Sequence, residues 1–118
     1  MFITLELSGN IAEKTAVSFD STSGKWTTAP DTSRLIGVVK GAAYQDPETE
    51  KWFAPVAISG FDFYMVADRA IPDEGGFMHV NNGRVYADNS SMGCGTIAPL
   101  NIGETTRVAG DLVLVHLR

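Results

Sequence analysis

Alternate positions carry the apolar residues of this chain, in short runs that never settle into the three-and-four spacing of an amphipathic helix. In the run from Phe2 to Leu7, Ile3, Leu5 and Leu7 fall on one side and Thr4 and Glu6 on the other. The same period of two predicts strands over Thr15–Phe19, Lys25–Thr28, Arg34–Val39, Trp52–Ile58, Phe61–Ala67, Phe77–Val80, Arg84–Ala87, Gly95–Ala98 and Asp111–Leu117. These segments are rich in Val, Ile, Thr and aromatics, which pack well on a pleated, half-buried surface.

Turn chemistry separates the runs. Asn82-Gly83 is the strongest hairpin signal, because both central residues of a type I′ turn need positive φ. Ser21-Thr22-Ser23-Gly24, Asp46-Pro47-Glu48 and Ser59-Gly60 mark other joins. With 12 glycines and 5 prolines, long helices are disfavoured; a single helical turn is expected at most, near Asp31–Leu35 or after Pro72. The reading is all-β: a small single-domain antiparallel barrel or sandwich with short strands and little helix. Residues 1–9 form an N-terminal strand or arm and residues 10–118 the domain. At 118 residues, such a chain buries roughly two-thirds of its unfolded surface, enough for a core without staples.

A faint repeat runs through this pattern. Ile11–Val17 lines up with Ile71–Phe77, Gly24-Lys25-Trp26 with Gly83-Arg84-Val85, and Leu35–Val39 with Gly93–Ile97, each about sixty positions apart. Residues 11–39 and 71–98 therefore read as two related hairpin units.

The formal net charge of −5 and the lack of any Lys/Arg cluster disfavour nucleic acid as a partner, since phosphates call for a basic face. No apolar run approaches the length of a membrane span, and Met1–Leu7 does not read as a signal peptide. The single cysteine, Cys94, leaves no internal disulfide and no multi-thiolate zinc site. His79 and His116 sit in strands without a carboxylate at ligand spacing. Cys94 has no cationic neighbour in sequence to activate it. Asp73-Glu74 and Glu48/Glu50 pair carboxylates within turns, where a solvated loop is the default. Asp20–Gly24 lacks the downstream glutamate of a calcium loop. No catalytic set, cofactor site or metal site is expected.

What stands out is surplus apolar surface. The strand from Phe61 carries Phe61, Phe63 and Met65 on one face and Tyr64 and Val66 on the other. Trp52-Phe53 opens a strand apolar on both sides, and Trp26 follows a glycine turn. Strands of this kind are enclosed by a second layer or cover an interface. The interface candidates are Phe2, Ile3, Leu5, Trp26, Trp52, Phe53, Phe61, Phe63, Tyr64 and Met65.

In order and length these features resemble the capsid decoration, or cement, proteins of tailed bacteriophages. The features are the polar turn before Thr15–Phe19, the hairpin Ser23-Gly24-Lys25-Trp26 and the element Leu35-Ile36-Gly37-Val38-Val39. The junction Val56–Phe61, the returning unit Phe77–Ile97 and the closing strand Gly110–Val115 complete the order. The segments Gln45–Lys51 and Pro99–Thr106 depart from the pattern. The resemblance implies a non-enzymatic protein on the outer capsid surface of a virion, made in the host cytoplasm. It further implies binding to the major capsid protein as a homo-oligomer, a trimer in particular. A carbohydrate- or protein-binding module of a tail or fibre is the alternative, with Trp26, Trp52 and Tyr64 as stacking platforms. A small enzyme built on His79, His116 and Cys94 is the third reading.

Overall fold

The computed structural model describes residues 2–118, and of Phe61 and Asp62 the backbone alone. The described residues form two sheets and no helix. The first sheet holds β1 (Phe2–Leu7), β2 (Ala16–Asp20), β3 (Lys25–Thr28), β4 (Ile36–Val39), β5 (Tyr44–Gln45) and β6 (Trp52–Ala57). The second holds β7 (Gly60–Val66), β8 (Gly76–Asn81), β9 (Arg84–Ala87), β10 (Gly95–Ile97) and β11 (Leu112–Leu117). The short β5 escapes the sequence reading because its two residues cannot display a period.

The first sheet runs β1-β3-β2-β4-β6-β5, and β1 also pairs with β6 along its whole length, from Phe2↔Ala57 to Leu7↔Trp52. The sheet thus closes into a small barrel. β4 and β5 share the other side of β6, through Val39↔Val56 and Tyr44↔Phe53, and act as one interrupted strand. Closure is thinnest between β1 and β3, joined by the parallel rung Leu7↔Trp26. Side chains reinforce that seam: Ser8 Oγ donates to Thr27 Oγ1 at 3.1 Å, and Lys25 Nζ lies 3.6 Å from Glu6 Oε2.

The second sheet runs β7-β11-β10-β8-β9. A parallel bridge, Ala67↔Val85, draws the end of β7 toward β9. Replacing β1, β3, β2, β4 and β6 by β7, β9, β8, β10 and β11 reproduces the ring order of the first sheet. Its parallel rung recurs about sixty residues further along the chain. The first unit (β1–β6) and the second (β7–β11) are therefore built on one topology.

Two cores follow. Leu7, Val17, Val39, Ala54 and Val56 are buried inside the first barrel, with Leu5, Ile11, Trp26, Ala43, Trp52 and Ile58 packed around them. The second core joins the inner face of the second unit to the outer face of the first. Phe63, Met65, Met78, Val80, Val85, Val113, Val115 and Leu117 meet Ala16, Ala29, Ile36, Val38 and Ala57. β2 and β4 are apolar on both faces because each lies between two cores. Gly37, in β4, has no room for a side chain, since a Cβ there would stand 2.6 Å from Val56 Cγ1.

The second unit sits on the first through the tip of its β8–β9 hairpin. The Ala16 N–H donates to the Gly83 carbonyl at 2.9 Å, and the Gly83 N–H to the Ala29 carbonyl at 2.8 Å. The Val80 N–H donates to Thr32 Oγ1 at 2.7 Å, and Lys40 Nζ stands 4.6 Å from the centre of the Phe63 ring. Asn82 and Gly83 have φ of 50° and 85°, the turn geometry their dipeptide predicts.

The single helical turn considered near Asp31–Leu35 or after Pro72 is absent. Residues 31–34 form bends in which Asp31 Oδ1 accepts the Ser33 N–H at 2.8 Å, so the side chain takes a donor that a helix would use. After Pro72 the chain closes a tight turn, Gly75 N–H to the Pro72 carbonyl, and enters β8.

Candidate interaction surfaces

His79 and His116 lie in strands of the second sheet and Cys94 in the turn just before β10; His79 and Cys94 meet backbone carbonyls. His79, in β8, is buried; its Nε2 lies 3.0 Å from the Asp88 carbonyl and 3.2 Å from that of Ser91. Its ring stacks on Tyr86 at 5.6 Å, and the Arg69 guanidinium lies over the Tyr86 ring at 3.9 Å. The Cys94 thiol faces the Met78 carbonyl, and burial pushes its pKa up to about 11, the opposite of what a nucleophile needs. His116, in β11 opposite Thr96, lines a small depression with Phe77, Thr96 and Arg118. Among the described residues no group of three His, Cys, Asp or Glu side chains is placed to hold a metal.

The turn carboxylates serve the turns. Asp46 accepts from Thr49 Oγ1 at 2.7 Å, and Asp20 from the Thr22 N–H at 3.0 Å and from Ser23 Oγ. These donors hold both carboxyls below the ordinary aspartate range, the Thr49 hydroxyl contributing most at Asp46 and the Thr22 N–H at Asp20.

The interface candidates divide. Phe63 and Met65 are buried at 5% and 0% exposure, because β7 turns them into the second core; they belong to packing and not to a free surface. Leu5, Trp26 and Trp52 are partly buried, since the closing of the barrel packs them around Val17 and Val56. Partial burial leaves less of each indole open for stacking on a sugar. Phe53 is half-buried, its ring 6.0 Å from that of Tyr44, beside a shallow depression lined by Thr4, Tyr44, Asp46 and Pro47. The side chain of Phe61 lies outside the described residues. Phe2, Ile3 and Tyr64 face solvent.

Among the described residues, two larger exposed apolar surfaces stand out besides Tyr44 and Met92. The outer face of β7 and β11 pairs Tyr64 with Leu114 and Val66 with Leu112, and Tyr64 and Leu112 are each about half exposed. Beside it, the loop from Pro99 leaves Ile102 wholly in solvent and Val108 exposed. Arg107 pins that loop: its guanidinium donates to the carbonyls of Ala98 and Pro72, and its backbone bridges to Ile71. The second surface is the open end of the first barrel, where Phe2, Ile3, Phe19 and Leu35 surround the Ser21–Gly24 turn. The Phe19 and Trp26 rings meet edge to face at 6.1 Å, and Arg34 caps the Phe19 carbonyl.

Sequence reading missed Leu112, Leu114, Ile102, Phe19 and Leu35 as surface residues. The signal for the first two was present, since Leu112 and Leu114 alternate with Val113 and Val115 in a strand apolar on both faces. Ile102 and Leu35 lie where no period exists to orient them. The chain matches no family model, no curated protein and no solved structure.

Proposed function

We propose that this chain is a non-enzymatic decoration subunit that binds the outer surface of a phage head and stabilises it. The observation that carries the reading is the continuous apolar face of Tyr64, Val66, Leu112 and Leu114 with Ile102 beside it, on a protein this small. An apolar face framed by Asp111 and Glu104 has the anatomy of a protein contact: greasy centre, charged rim. Its occupant in this reading is a neighbouring copy of the chain, so that several copies bind the shell together and modest single contacts add up. The resemblance in strand order to cement proteins supplies the identity of the larger partner, the major capsid protein.

The test is to add purified protein to heads stripped of their decoration. Co-sedimentation at a fixed copy number, together with a raised temperature of head disruption, is the expected result. A protein that stays in the supernatant and leaves the disruption temperature unchanged would defeat the reading.

A further inference from the structure

The internal repeat reveals which part of the first unit lacks a covering that its counterpart has. In the second unit the hairpin tip and the barrel end beneath it are covered by the first unit: Phe63 is 5% exposed, Val80 is 2%, and Gly83 is buried. The topologically equivalent residues of the first unit are Ile3, Phe19 and Gly24. Ile3 pairs with Val56 as Phe63 pairs with Val115, and Phe19 pairs with Trp26 as Val80 pairs with Val85. These residues are open: Ile3 is 39% exposed and Phe19 44%, with Leu35 at 62% beside them. The two turn glycines show the same contrast. A Cβ on Gly83 would stand 2.8 Å from the Thr15 and Thr28 methyls, whereas one on Gly24 would meet nothing within 4 Å. One tip is seated; its twin is empty-handed.

We infer that the open end of the first unit, centred on the Ser21–Gly24 turn, seats on a partner protein in the way the second unit seats on the first. The internal contact specifies the chemistry of that partner surface. It presents the ends of two paired strands with small side chains, as Thr15, Ala16, Thr28 and Ala29 do, and frees one backbone N–H and one carbonyl to receive the tip. A second copy of this chain does not offer such a surface. Its first-unit strand ends are already occupied by its own Gly83. The matching strand ends of its second unit are closed by Asn89, whose Oδ1 accepts the Phe77 N–H at 2.9 Å and fills the space over Gly76. Head-to-tail growth of the chain on itself is thereby blocked, and the occupant is a different protein. The inference rests on the decoration reading for its choice of partner, the shell subunit.

The experiment uses the full chain carrying a photo-cross-linking residue, Thr22→p-benzoylphenylalanine at the tip or, as control, Ser90→p-benzoylphenylalanine on the second unit, with stripped heads as the probe. The expected result is an adduct between the tip and the shell subunit, and none from position 90. Leu35→Asp, at an exposed site, should keep the melting temperature while binding heads about tenfold more weakly. If wild-type protein binds heads but the adduct forms from position 90, or the tip cross-links only to another copy of the chain, the seating inference is overturned and the decoration reading stands. Undiminished binding by a folded Leu35→Asp variant overturns it equally. Failure of the wild-type protein to bind heads overturns both.

Discussion

The first and second units share one ring order but treat their apolar ends in opposite ways. The first closes into a barrel around its own core and leaves an end ringed by Phe2, Ile3, Phe19 and Leu35 in solvent. The second never completes a private core; its inner face merges with the outside of β2 and β4, and its tip is buried. The inserts between the last two strands of each unit differ too. Residues 40–51 fold back as β5 and lay Tyr44 on Phe53, while residues 98–111 are clipped down by Arg107 and leave Ile102 outside. The lesson is that repetition of topology does not repeat exposure. Whichever end lacks a neighbour within the chain is the end available to one outside it.

The largest test of this contrast is in the cores. Met65 and Leu5 occupy equivalent inward positions, one fully buried in the shared core and the other half-buried in the barrel. Met65→Ala should lower the unfolding free energy by about 3 kcal/mol, and Leu5→Ala by about 1 kcal/mol, in chemical denaturation. Equal losses would mean that the two cores are not as different as their burial indicates.

Next come the turn glycines. Gly83→Ala forces a methyl against Thr15 and Thr28 at φ 85° and should cost about 3 kcal/mol. Gly24→Ala bears the positive φ alone, and about 1 kcal/mol is expected. A reversal of that order would break the seated-versus-free distinction.

Much of the architecture is legible in the residues alone. The period of two and the Asn82-Gly83 turn locate the strands, and Gly24-Lys25-Trp26 and Gly83-Arg84-Val85 lead into β3 and β9 of the β2–β3 and β8–β9 hairpins. What the pattern could not supply is which apolar face meets which. Alternation puts Phe63 and Tyr64 on opposite sides of β7 but does not say which side finds a core. Met65 therefore stands among the interface candidates although it is buried, and the exposed Leu112 does not. Trp26 and Trp52 are ambiguous because large aromatics suit interfaces and cores alike, and only ring closure between β1 and β6 packs them partly inward.

Smaller effects sharpen the comparison further. Asn89→Ala removes the acceptor of the Phe77 N–H and should cost about 1 kcal/mol in thermal unfolding. No counterpart of that cap is needed in the first unit, where Gly83 fills the equivalent place. At neutral pH the least effect belongs to Cys94. Its folded pKa of about 11 stands above the ordinary thiol value of 9.0, so at alkaline pH the unfolded chain gives up a proton that the folded chain keeps. Stability should be intact below pH 9.0 and decline as pH rises toward 11, and Cys94→Ser should flatten that decline. A thiol that reacts rapidly with iodoacetamide at neutral pH would contradict the burial behind this argument.

The most direct measurement is a cryo-electron microscopy reconstruction of decorated heads in which both units are traced. Density with the Ser21–Gly24 end against the shell, the Tyr64–Leu112 face against a neighbouring copy and the Asn89 end pointing outward is the expected picture. An ordered copy attached through its Asn89 end, with the Phe19 and Leu35 end facing solvent, would contradict it.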